Sequence, residues 1–230
     1  MSLALGLDCS GETYSLGLFG PQGVSLEASG FQPRKALREM PGALSYLLKT
    51  AGATHRDLSV VGLTQGPGSF TGVRLGVTVA KTVAMVADCP VCPWDTLQLL
   101  ARQALPEPSR GVAAVALDAR RGELYCGLFK AQADGWETLL PTGVRRPEEF
   151  KAQLEQTESL QHLVGSAFAV YPELWPADRP VARLLSREQS APSGLVIARL
   201  SHQHPANWIA SNELFPVYHR QADIQVSHPV

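Results

Sequence analysis

The chain has 230 residues, enough for one large domain or two small ones, since domains commonly run to about 100–200 residues. Twenty Lys and Arg stand against twenty-one Asp and Glu, a net charge of −1, which excludes a global field drawing the protein onto nucleic acid or anionic lipid. The start, MSLALGLDCSGE, has no basic leader, and no apolar run approaches the ~18 residues of a membrane span without polar interruption, so a soluble cytoplasmic protein is expected.

In chain order, LGLD (5–8) is a short apolar run ending in an acid, CSGE is a turn, and TYSLGLF (13–19) alternates as a strand does. A third strand, VSLEAS (24–29), a helix over 36–52, a strand LSVVGLT (58–64) and a helix over 70–87 follow. The segment AVALDARRGELYCGLF (114–129) restarts the design: Leu7, Asp8, Gly17, Leu18 and Phe19 align with Leu117, Asp118, Gly127, Leu128 and Phe129. Behind it come WETLLPT (136–142), a helix over 147–156 and the strand LQHLVG (160–165). This order predicts an internal duplication of a β-β-β-α-β-α unit, with lobes at 1–95 and 111–230 and a proline-rich junction at 96–110. Two such units facing each other form the α/β actin-like ATPase (ribonuclease H-like) fold. There Asp8 and Asp118, each closing a first strand, would face a metal-bound phosphate. The plainer alternative is that each aspartate caps the turn that follows it. No role is assigned to residues 166–212.

The cysteines Cys9, Cys89, Cys92 and Cys126 are too few and too scattered for a disulfide framework. The pair in CPVC lacks two further zinc ligands and reads as two thiols near the start of a short apolar strand.

The most distinctive stretch is TQGPGSFTGVRLG (64–76), leading into VTVAKTVAMVA. Gly66 and Gly68 bracket Pro67 in a turn, and Ser69 or Thr71 is placed to cap the helix, which makes an anion site at the helix N-terminus conceivable. Neither G-x-x-x-x-G-K-[ST] nor G-x-G-x-x-G is present. Gly72, Gly76, Ala80 and Ala84 recur every four residues, a small-residue stripe suited to close packing, and the helix is apolar nearly all round. A sheet covers one face of such a helix; the other needs a neighbouring helix or a second chain.

Together, GLDCSGETYSLGLF, TQGPGSFTGVRLGVTVAKTVA, ALDARRGELYCGLF and FPVYHR closely resemble the TsaB (YeaZ) family of bacterial tRNA threonylcarbamoyladenosine biosynthesis, most strongly over residues 1–130. The resemblance implies the two-lobed actin-like fold and a noncatalytic subunit that dimerises with TsaD. TsaD transfers threonylcarbamoyl to adenosine 37 of tRNAs reading ANN codons, and the ATPase TsaE joins the complex. Alone, a homodimer is expected, and tRNA is reached only through the complex, through Arg120 and Arg121 if by any residues of this chain.

Departures from the family pattern point away from chemistry. Cys9 stands where the family usually has threonine, Lys35 where many members have histidine, and Phe215-Pro216-Val217-Tyr218 where the pattern carries Glu-Pro-x-Tyr. The metal-binding His-x-x-x-His of TsaD is missing from the sequence. Neither a metal nor a cofactor is expected, beyond weak nucleotide binding in the complex. Asp8, Ser10, Gly68, Ser69 and Asp118 mark a vestigial nucleotide cleft. The expected partner interface is Leu37, Met40, Leu44, Leu47, Gly72, Val73, Gly76, Val77, Ala80 and Lys81. The competing reading is an enzyme using the interlobe cleft, either a phosphotransferase or a metallopeptidase; the latter lacks H-E-x-x-H or an equivalent ligand set.

Overall fold

In the computed structural model the described residues are 2–31, 33–106, 109–133, 135–174, 183–186 and 188–220. The first half contains β1 (Leu3–Asp8), β2 (Thr13–Phe19), β3 (Ser25–Phe31), α1 (Pro33–Thr50), β4 (Leu58–Thr64), α2 (Phe70–Ala87) and β5 (Val91–Trp94). After α3 (Thr96–Ala104) the pattern restarts with β6 (Gly111–Arg120), β7 (Glu123–Gln132), β8 (Gly135–Arg145), α4 (Pro147–Gln156), β9 (Leu160–Val164), α5 (Ala167–Val170) and β10 (Arg183–Leu184). Helix α6 (Gly194–Gln203) and short 3-10 turns at Pro205–Asn207 and Ser211–Glu213 follow.

The two sheets have the same order, β3-β2-β1-β4-β5 and β8-β7-β6-β9-β10. In each, the first two strands form an antiparallel hairpin and the first and fourth run parallel. A sheet with helices, built twice in one chain, is the actin-like, ribonuclease H-like α/β fold expected from the duplication. Central β1 is buried along its whole length, as its uninterrupted run LALGLD requires, whereas edge strand β3 exposes every second residue.

Two helices cross between the halves. Leu97, Leu100 and Ala101 of α3 join the core over β6 and β7 of the second sheet. Helix α6, from the end of the chain, packs on β1, β2 and β4 of the first, where Ile197 and Ala198 meet Ala4 and Val60. The residues at 96–110 thus contain a packed helix, and the first sheet takes one cover from beyond residue 190. Helices α1 and α2 share the core over β1 and β2, with Met40, Leu47, Val77 and Ala80 buried there.

By length and composition α2 could cross a membrane, being 18 residues long with mean hydropathy 1.3, which the polar interruptions at Arg74 and Lys81 hide from a reading by unbroken runs. Its contacts with β1, β4 and β5 are those of a core helix.

Candidate functional site

The C-terminal ends of β1 and β4 and the loop into α2 meet at one place. Asp8 is fully buried, and its Oδ1 accepts three hydrogen bonds: from the Ser10 N–H (3.1 Å), the Ser10 hydroxyl (2.6 Å) and the Thr64 hydroxyl. Oδ2 has no hydrogen-bond partner among the described residues. Burial raises the pKa of this carboxyl above its usual 3.8, and the three hydrogen bonds only partly offset that. Oδ1 is thus committed to its own turn and to the neighbouring strand β4.

The glycine-rich loop lies directly on that turn. The Ser69 N–H donates to the Ser10 carbonyl at 2.7 Å, and a Cβ at Gly68 would stand 2.5 Å from the same oxygen. Gly66 has φ +117°, in the region that favours glycine. Ser69 is the helix cap, its hydroxyl accepting from the Gly72 N–H at 3.3 Å. Asp8, Ser10, Gly68 and Ser69 are thus brought together, and the loop's short approach to the β1 turn explains its glycines.

Asp118 bonds within its own lobe. Its carboxylate accepts from the Arg120 N–H at 2.8 Å and lies 3.6 Å from the Arg120 guanidinium, while its backbone N–H donates to the Ser166 hydroxyl. Both aspartates therefore make the turn-capping contact to the residue two positions on.

The small-residue stripe faces inward. A Cβ on Gly72 would stand 1.9 Å from the Cys9 carbonyl, Gly76 faces Leu7 and Cys9, and Ala80 and Ala84 are buried. This corrects the expected interface: Gly72, Val73, Gly76, Val77 and Ala80 cover the chain's own first sheet, and Met40 and Leu47 are buried in the same core. The physical reason is that β1 ends in a turn whose carbonyls approach the helix, and only the smallest side chains admit them. Leu44 is half-buried against that core; Lys81 is half-buried with its ammonium over Phe215; Leu37 is exposed. The outward residues are Leu37 and Tyr46 on α1 and Phe70, Met85 and Val86 on α2, each at least half exposed (50–74%). Cys9 turns its thiol to the Met40 sulfur at 3.5 Å, and burial followed by the Asp8 charge pushes its pKa well up.

Sequence reasoning missed Thr64, which reaches Asp8 across 56 residues. It also missed Asp95, which caps α3 by accepting from the Leu97 and Gln98 N–H groups and receives the Thr142 hydroxyl of β8 at 3.0 Å. Burial pushes the Asp95 carboxyl up, against those hydrogen bonds and the nearby His219. An Asp followed by Thr and an apolar-periodic run was a readable cap signal; the cross-lobe bond was not readable.

The family model described as TsaD: tRNA N6-adenosine threonylcarbamoyltransferase matches residues 24–174, more than half of the chain. The Escherichia coli (strain K12) protein named tRNA threonylcarbamoyladenosine biosynthesis protein TsaB is 28% identical over 171 residues, 74% of this chain and 74% of its own. The Bacillus subtilis (strain 168) protein of that name is 34% identical over 138 residues, 60% of this chain and 59% of its own. A solved structure from Pseudomonas aeruginosa, described as an uncharacterized protein with similarity to peptidase YeaZ, matches with TM-score 0.82 at 26% identity, covering 96% of this chain and 100% of that one. The chain belongs to the TsaB family. The peptidase likeness in that last description finds no ligand set here: among the described residues no group of three or more His, Cys, Asp or Glu could hold a metal ion.

Proposed function

We propose that this TsaB-family chain is a noncatalytic subunit in the biosynthesis of tRNA threonylcarbamoyladenosine, holding a TsaD-type transferase in its working arrangement. The observation that carries the reading is the disposition of Asp8: the carboxylate that an actin-like ATPase would aim at phosphate is buried and hydrogen-bonded to Ser10 and Thr64. The exposed apolar residues of α1 and α2, Leu37, Tyr46, Phe70, Met85 and Val86, form the face that the transferase covers in the complex and that a second copy covers when the chain is alone. TsaE is recruited to that complex, in the cytoplasm, and tRNA is held mainly by the partners, in keeping with a net charge of −1.

The test is a reconstituted modification reaction with tRNA, the transferase and the remaining components, with and without this chain. Omitting the chain abolishes modification, whereas Asp8→Ala and Asp118→Ala leave it largely intact. A hundredfold loss from either substitution, with fold and complex preserved, establishes the enzyme reading instead. So does magnesium-dependent ATP turnover by the isolated chain.

A further inference from the structure

We propose that residues 214–220 are a releasable clasp that holds the second lobe against the first and is fastened to α2. For what releases the clasp, the inference rests on the proposed role in which a partner covers α2; the clasp itself does not depend on it.

The strap begins at a firm anchor, Leu214, which is fully buried in the core under α2. Beyond the anchor the fastenings among the described residues include polar and aromatic ones. The Phe215 ring lies 4.6 Å from the Lys81 ammonium, and the Val217 N–H donates to the Gln65 carbonyl at 2.8 Å. The Val217 carbonyl in turn sits 2.5 Å from where a Cβ at Gly66 would be, so the strap lies directly on the loop that leads into α2. Arg74 Nε donates to the Tyr218 hydroxyl at 2.7 Å, and its guanidinium covers the Phe70 ring at 3.8 Å, with the Phe70 and Tyr218 rings 5.2 Å apart. His219 Nε2 stands 3.9 Å from Asp95 Oδ2 at the end of the first lobe, beside the cross-lobe bond from Thr142 of β8, and the next residue reaches across. Arg220 pairs with Glu123 and donates to the Ala119 carbonyl at 3.3 Å, both on the β6–β7 hairpin of the second lobe.

The middle of the strap is exposed, 64% at Phe215, 37% at Val217 and 46% at Tyr218. Water competes for contacts of this kind, and segments with few buried apolar contacts open at low free energy while the core stays folded. Leu214 keeps the strap attached when its far end is free. A partner that covers the outer face of α2 as far as its first two turns contacts Phe70 and Arg74, the side chains that hold Tyr218. Docking there and fastening of the clasp draw on the same groups, so occupancy of α2 is transmitted to the β6–β7 hairpin.

The experiment measures the distance between spin labels at Lys49→Cys on α1 and Gln153→Cys on α4, in a Cys89→Ser background because Cys89 is half-exposed and the other three thiols are buried. Arg220→Ala and Tyr218→Phe should each add a longer-distance population, with a melting temperature close to that of the parent. Arg220→Lys, which keeps the charge, should restore part of the parent distribution. An unchanged distribution in both Arg220→Ala and Tyr218→Phe overturns the clasp, and Tyr218→Phe alone decides the matter if Arg220→Ala does not fold. Addition of a saturating TsaD-type transferase to the parent should shift the distribution in the same sense. If the variants shift it and the transferase does not, the clasp stands and its release by a partner on α2 is overturned.

Discussion

Gly72 and Gly76 stand one turn apart on the same face of α2, yet they meet very different neighbours. A Cβ at Gly72 would collide with the Cys9 backbone carbonyl at 1.9 Å, whereas at Gly76 the nearest atoms are the side chains of Leu7 and Cys9 at 3.6 and 3.7 Å, an ordinary contact. Gly72→Ala should therefore destabilise by at least the ~1–3 kcal/mol of an overpacked core, while Gly76→Ala should stabilise by ~0.5–1 kcal/mol through helix propensity. Chemical denaturation of the two variants checks this, and equal effects would refute the packing account. Asp8 gives a prediction in pH. Its native pKa is raised above 3.8, so the native state holds the proton more tightly than the unfolded chain does. The associated stability is complete below the unfolded value and is lost as pH rises through the native one. Asp8→Asn removes that cost while its side-chain oxygen still accepts from Ser10 and Thr64. Relative to the parent, it should melt higher at neutral pH, with the difference shrinking as the pH falls toward 4. A difference that stays constant with pH would show that the Asp8 pKa is not raised in the native state.

At the scale of elements, α2 separates two sets of residues that the sequence pattern could not tell apart. Met85 and Val86 are exposed at 74% and 60%, while Gly72, Gly76 and Ala80 lie on the sheet. Met85→Glu with Val86→Glu should leave the melting temperature nearly unchanged and weaken transferase binding by roughly tenfold or more, taking ~1.5–3 kcal/mol for a buried apolar side chain and ~1.4 kcal/mol per decade of affinity. Gly76→Leu and Ala80→Leu should do the reverse, lowering the melting temperature with binding by the folded fraction unchanged. Calorimetry and a binding titration, run side by side, separate the two outcomes. The ends of α2 were legible because Ser69 is a cap and the apolar run has a helical period; its orientation was not, because Met85 and Val86, which are exposed, are as apolar as Val73 and Val77, which are buried. Small side chains every fourth residue announced a close approach without saying to what. The paired hairpins and the order of elements could be read from local alternation. The bond from Thr64 to Asp8 and the course of residues 214–220 join positions distant in sequence, where neither period nor spacing carries a signal.

The whole molecule is held by exchange of helices as much as by duplication of sheets. A Cβ at Gly6 would stand 2.1 Å from the Gly194 carbonyl and one at Gly62 2.1 Å from the Ser201 hydroxyl, so α6 lies directly on β1 and β4 at glycine positions. Ser201 is itself tied down: its hydroxyl receives the Trp94 indole N–H at 2.9 Å and its carbonyl the Trp208 indole N–H at 2.8 Å. Conversely α3, which follows the first sheet in the chain, buries Leu97, Leu100 and Ala101 over the second. A stretch such as 1–95 thus carries five strands of one sheet with a face that only α6 can cover, leaving Ala4, Val60 and Cys92 without their partners Ile197 and Ala198. Exposure of such a face favours association over folding. Residues 1–95 expressed alone should show no cooperative thermal transition. Co-expression with residues 96–230 should return a soluble pair that melts cooperatively, because the second piece brings both exchanged helices. A cooperative transition for 1–95 alone, near that of the intact chain, would show that the first sheet folds without α6 and that the exchange contributes little to its stability.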